Sequence, residues 1–250
     1  MRIEVFEHKE QLDTRAARLI IDTVRTSERP VLGLATGGTP IGVYRKLVDA
    51  YRSGEVSFRH AVTFNLDEYV GLPPGHDQSY AVYMDKHLFS HIDIPREQIH
   101  IPDGNHPDPQ TECARYDQAL AREGRIDVQI LGIGHNGHIG FNEPDKALIG
   151  KTHVVQLSEQ TRQANARFFQ SIDEVPRQAI TMGIASILQA RRIVLLAKGA
   201  DKAAIVGKAL TGPVTTEVPA SLLQLHPDLV VLLDREAASE LDPSMIASVQ

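Results

Sequence analysis

The residues of this chain best suited to chemistry crowd into one stretch, residues 132–144, GIGHNGHIGFNEP, where Asn136, His138, Asn142 and Glu143 lie among four glycines. A histidine in such a setting can pass protons near neutral pH without help from a cofactor. Glu143 can fix the imidazole tautomer or support its charged form. Gly132, Gly134 and Gly137 also fit G-x-G-x-x-G. That dinucleotide fingerprint belongs to a first βα turn with an unbroken helix and an acidic residue about 20 positions on. Here Pro144 interrupts any early helix, and the apolar run 154–157 carries no carboxylate, so no dinucleotide is expected. A zinc site is the competing reading in a chain with 11 histidines. No H-E-x-x-H, cysteine pair or carboxylate triplet accompanies His135 and His138, and the expectation is no metal and no cofactor.

Two further stretches have matching chemistry. Thr36-Gly37-Gly38-Thr39-Pro40 offers glycines that let backbone N–H groups approach an anion, two hydroxyl donors, and a proline expected to open a helix whose positive end faces the loop. No Gly-Lys-[Ser/Thr] follows, so the loop reads as a phosphate cradle rather than a nucleoside triphosphate site. Arg167 and Lys202 are the basic residues chemically apt to complete it, one as a planar fork and one as a point charge. Asp67, at the end of an apolar run and followed by Glu68 and Tyr69, is placed to act as a general base if burial raises its pKa. Glu68 must point elsewhere.

The elements that position these loops follow from the apolar pattern. Strands are expected at 2–6, 31–35, 62–66, 98–101, 128–131, 179–182, 193–197 and 229–233. Helices are expected at 11–25, 41–51, 79–89, 110–122, 160–169 and 202–210. The alternation predicts an α/β fold, an open, mainly parallel twisted sheet flanked by helices, with residues 1–250 forming one domain. In such sheets ligands bind at the carboxyl ends of the strands, which draws attention to the loops after Ala35, Leu66, Leu131 and Ala197. Residues 148–155 read as a lid over them.

Composition limits the partners. A net charge of −6 and a pI near 6.0 argue against nucleic-acid or membrane-surface binding, leaving a small-molecule substrate. The single cysteine, Cys113, fits a reducing cytoplasm and reads as a buried or half-buried helix thiol. The charged start MRIEVFEHKE is unlike a signal peptide, and no run approaches the ~20 apolar residues of a membrane span. The expected location is cytoplasmic.

With these loops in view, the chain resembles the glucosamine-6-phosphate deaminase family, also called glucosamine-6-phosphate isomerases. The resemblance rests on LGLATGGTPIGVY (32–44), VTFNLDEYVGLP (62–73), LGIGHNGHIGFNEP (131–144), TRQANARFF (161–169) and LQLHP (223–227), which occur in the family's order over nearly the whole chain. It implies a Rossmann-like fold shared with 6-phosphogluconolactonase, and the conversion of glucosamine 6-phosphate plus water to fructose 6-phosphate and ammonium. It also implies roles. His138, assisted by Asn136 and Glu143, opens the sugar ring. Asp67 removes the C2 proton. Thr36, Gly37, Gly38, Thr39, Arg167 and Lys202 hold the phosphate.

Two departures shape the expectation. Many relatives carry Asp where this chain has Asn136, so His138 is expected to depend more on Glu143. Allosteric hexameric relatives carry basic residues where this chain has His153 and Val155, and a longer tail than one ending at Gln250. A non-allosteric monomer or small homo-oligomer is therefore expected. The rival readings are a lactonase on the same fold and a non-catalytic sugar-phosphate sensor. The Phe-Asn-Glu-Pro and Asp-Glu-Tyr-Val-Gly-Leu runs disfavour the first, and intact Asp67, His138 and Glu143 disfavour the second.

Overall fold

Unbroken apolar runs become the central strands, because a parallel sheet covered on both faces leaves no strand side facing water. In the computed structural model, which describes residues 1–166 and 169–249, the chain forms β1 (Arg2–Phe6), α1 (Lys9–Thr26), β2 (Val31–Leu34), α2 (Ile41–Arg52), β3 (Val62–Asn65), β4 (Asp67–Tyr69) and α3 (Tyr80–His87). It continues through β5 (Ile99–His100), α4 (Pro109–Glu123), β6 (Val128–Leu131), β7 (His153–Gln156), α5 (Glu159–Ala166), β8 (Gln178–Thr181) and α6 (Ile184–Leu188). The last elements are β9 (Arg192–Ala197), α7 (Ala203–Thr211), β10 (Leu229–Asp234) and β11 (Ile246–Val249). No helix among the described residues is long and apolar enough to cross a membrane.

Eight strands form one parallel sheet in the order β11-β1-β10-β9-β6-β2-β3-β5. After β2 the chain builds outward through β3 and β5, then returns to the other side of β2 with β6 and builds the opposite way through β9 and β10. The direction reverses between β2 and β6. At such a switch point the loops leave the sheet to opposite sides and open a crevice at its carboxyl edge. The core lies on both faces of this sheet and includes Leu12, Ile20, Leu32, Phe64, Ile130, Leu195 and Val231, all nearly inaccessible to water.

A second sheet was not anticipated. Strands β4, β8 and β7 pair antiparallel, and they pack a separate apolar cluster of Tyr69, Leu72, Phe141, Leu157 and Ala179. The stretch read as a lid is fastened to this layer. Ile149 and Gly150 accept backbone hydrogen bonds from Ile184 and Ala185, and β7 begins at His153. A Cβ at Gly183 would lie 2.2 Å from the Lys151 carbonyl, so that crossing depends on glycine. Helix α2 begins at Ile41 as expected, and Pro40 stands at its N-cap rather than inside its first turn, a difference of the ordinary size for a helix end. Cys113 is buried on α4, and burial, with Asp117 and Glu112 nearby, pushes its thiol to about 11.

Candidate active site

The crevice at the switch point is a cavity of about 460 Å³. Thr36, Gly37, Gly38, Thr39, Asp67, Asn136, His138 and Lys202 all line it, so loops separated by more than a hundred residues meet in one place. Glu143 stands behind His138 rather than on the cavity wall. Arg167 lies outside the described residues. No group of three or more His, Cys, Asp or Glu side chains is arranged to hold a metal ion among the described residues.

Asp67 was read as the residue just past a strand. It instead opens β4, paired with Thr181 of β8, and that pairing buries it to 6% exposure. Burial first, and the charge of Glu68 second, push its carboxyl from 3.8 to about 8. Glu68, as expected, turns away. Its Oε1 accepts from the backbone N–H of Tyr69 at 2.8 Å and Tyr80 at 2.9 Å, and its Oε2 from Ala81 at 2.9 Å. It therefore caps the first turn of α3, where a carboxylate satisfies orphan donors and complements the helix dipole. Burial still holds Glu68 above the ordinary carboxylate value, with those backbone donors and Asp103 as smaller influences. Alternation along a three-residue strand thus separates two adjacent acids into a cavity group and a helix cap.

His138 is set by the glycine loop. A Cβ on Gly134 would sit 2.3 to 2.4 Å from three atoms of the imidazole, so Gly134 is required for the ring to lie flat on the loop. Its Nδ1 faces Glu143 Oε1 at 3.6 Å, an ion-pair separation slightly longer than a hydrogen bond. Asn136 Nδ2 donates to Glu143 Oε2 at 2.5 Å, and Asn136 Oδ1 accepts from the His138 amide at 3.2 Å. Thr161 donates its hydroxyl to Glu143 Oε1. Burial raises the Glu143 carboxyl, but His138, then Thr161 and Asn136, more than offset it and hold Glu143 below the ordinary value. The carboxylate is thereby kept ionised behind the imidazole. Gly140, at φ +59, approaches Asp67, and a Cβ there would be 3.6 Å from Asp67 Oδ2. Asn142 is structural and donates to the Ile139 and Met182 carbonyls.

The loop of residues 36–39, expected to cradle a phosphate, leaves β2 with Gly37 at φ +100, in the region that favours glycine. Added Cβ atoms at Gly37 and Gly38 would meet nothing within 4 Å, so the backbone is open to a ligand. Lys202 reaches in from the segment after β9 and donates to the Ile133 carbonyl at 3.0 Å, joining the two sides of the crevice.

Residues 7–231 match the family model described as glucosamine-6-phosphate isomerases/6-phosphogluconolactonase. The chain belongs to this family. It is 54% identical over 239 residues to a glucosamine-6-phosphate deaminase of Bacillus pumilus, covering 96% of this chain and 99% of that protein. A glucosamine-6-phosphate deaminase of Thermoanaerobacter pseudethanolicus is 49% identical over 239 residues, covering 96% and 94%. The solved structure of a monomeric glucosamine-6-phosphate deaminase superposes with a TM-score of 0.93 at 50% identity, over 96% of this chain and 100% of that one. A 6-phosphogluconolactonase from Thermotoga maritima, at 18% identity over 94% and 100% with a TM-score of 0.76, shares the fold.

Among the residues lining the cavity, sequence reasoning missed Lys9, Tyr80, Thr161, Asn165 and Lys198. Lys198 had a usable signal, since it directly follows a buried strand. Thr161 lies within a stretch carrying the resemblance, but its role depends on α5 packing beside the 132–144 loop, which no local pattern reveals.

Proposed function

We propose that this protein is a glucosamine-6-phosphate deaminase, converting glucosamine 6-phosphate and water to fructose 6-phosphate and ammonium, with residues 1–250 acting as one domain. The observation that carries this reading is a buried carboxylate raised to about 8 and a carboxylate-backed imidazole sharing one cavity with a glycine phosphate loop. With the phosphate on Thr36–Thr39, Lys202 and Arg167, the sugar extends toward Asp67 and His138. His138 transfers the proton of the anomeric hydroxyl to the ring oxygen, opening the ring, while Glu143 stabilises the imidazolium that forms in between. Asn136 orients Glu143 and the His138 backbone. Asp67, when ionised, takes the C2 proton and yields an enolamine. Its return to C1 leaves an imine at C2, which water hydrolyses to the ketose and ammonium. A base raised by burial accepts a carbon-bound proton more readily than an ordinary carboxylate does.

The substrate's amine and carbonyl carry the electron flow, so the scheme uses no cofactor. His153 and Val155 replace the basic residues of allosteric relatives, and the closely superposing deaminase is monomeric. Both support a non-allosteric monomer or small homo-oligomer, and the proposed setting is amino-sugar breakdown in the cytoplasm. The test is to incubate purified protein with glucosamine 6-phosphate and follow both products. Equal release of ammonium and fructose 6-phosphate is expected. Release of neither, with hydrolysis of 6-phosphogluconolactone instead, would replace this reading with the lactonase.

A further inference from the structure

Alternate carbonyls of the phosphate loop are each tied to a donor from elsewhere in the fold. Tyr44 on α2 donates its hydroxyl to the Ala35 carbonyl. Tyr83 on α3 donates to the Gly37 carbonyl at 2.6 Å. Lys198, just past β9, donates Nζ to the Thr39 carbonyl at 2.8 Å, and Asp13 on α1 balances its charge. Asp13 in turn lies flush on α2, since a Cβ at Gly42 would fall 1.9 Å from its Oδ2. Meanwhile the amides of Gly37, Gly38 and Thr39 meet no acceptor among the described residues.

These facts have one electrostatic reading. A carbonyl that rotates toward a bound phosphate presents like partial charge to its oxygens, whereas an amide presents a donor. Fixing the carbonyls of residues 35, 37 and 39 removes the loop's freedom to turn the wrong groups inward, so less ordering is required when the anion binds. We propose that Tyr83 and Lys198 are positioning residues that hold this loop in its phosphate-accepting form and set affinity for the phosphate group rather than the rate of proton transfer. The inference rests on the deaminase reading for the identity of the sugar, but its phosphate part can be measured without turnover.

The experiment compares wild type with Tyr83→Phe, Lys198→Met and the pair Asp13→Asn/Lys198→Met. It records KM and kcat for glucosamine 6-phosphate, and the Kd of inorganic phosphate by calorimetry. Each variant is expected to raise KM and phosphate Kd together by about three- to tenfold, the effect of losing one such hydrogen bond, with kcat within about threefold of wild type. The Asp13→Asn partner removes the carboxylate that Lys198→Met would leave buried and unpaired. Tyr83→Phe deletes only one oxygen and decides the matter if both lysine variants fail to fold. An unchanged phosphate Kd in Tyr83→Phe, or a fall in kcat at constant KM, overturns the proposal. So does a wild-type protein that binds no phosphate. Absence of turnover in a wild type that binds phosphate, with the Kd differences intact, would sink the deaminase reading alone.

Discussion

The two halves of the cavity solve different problems with different parts of the chain. At the end proposed to hold the phosphate, the backbone of residues 36–39 lines the cavity, and the side chains of Tyr83 and Lys198 bond its carbonyls. At the end proposed for proton transfer, the side chains of Asp67 and His138 line the cavity, and the backbone holds them, through Gly134 beneath His138 and β8 alongside Asp67. Amides do not titrate, so the backbone donors of the first end keep the same form over a wide pH range, and pH acts there through the second ionisation of the phosphate, at about 6. Asp67, held near 8, makes the second end sensitive to pH.

Substitutions that alter the groups at the proton-transfer end test the contrast most severely. Asp67→Asn should lower kcat by about 10³-fold or more with little change in KM, as expected for loss of a positioned base. The same residue links activity to stability. In the folded protein Asp67 keeps its proton up to about pH 8, while an unfolded aspartate releases it near 3.8. The folded state therefore binds the extra proton between those values, and stability falls as pH rises through that window. Melting curves should show Asp67→Asn gaining on wild type from pH 5 to pH 8. A constant difference would mean that burial does not perturb this carboxyl.

A smaller effect is expected one layer back. Glu143→Gln keeps the shape behind His138 but removes the charge, and kcat should drop by about 10- to 100-fold. Turnover close to wild type would show that Asn136 and Thr161 orient the imidazole adequately without the ionised carboxylate. At the phosphate end, Lys202→Gln should raise KM about tenfold while leaving the pH dependence of kcat in place, and a displaced pH profile would blur the division between the two ends. The smallest expected effect is none. Rate curves should be hyperbolic and indifferent to N-acetylglucosamine 6-phosphate, and sigmoidal curves relieved by that compound would contradict the non-allosteric reading.

The same contrast explains what the sequence made legible. Strands β2, β9 and β10 were readable because VLGL, RIVLLA and LVVLLD are buried along almost their whole length and leave unbroken apolar runs. The phosphate loop and the 132–144 loop stood out because close backbone approach demands clustered glycines. Strand β4 was hidden because its sequence is Asp-Glu-Tyr, two acids whose burial is justified only by a cavity on one side and a helix N-terminus on the other. Strand β7, HVVQ, is half-exposed and too short to show a period. The Lys198 contact with Asp13 joins residues 185 positions apart, a relation that only the folded sheet creates.

The central claim is that Asp67 is the base in a deamination. Its most direct test is simultaneous assay of ammonium and fructose 6-phosphate, with wild type and Asp67→Asn at saturating glucosamine 6-phosphate. The account predicts one ammonium per fructose 6-phosphate from wild type, and both products lowered together by about 10³-fold or more in the variant. Substantial release of both products by a folded Asp67→Asn protein would contradict it.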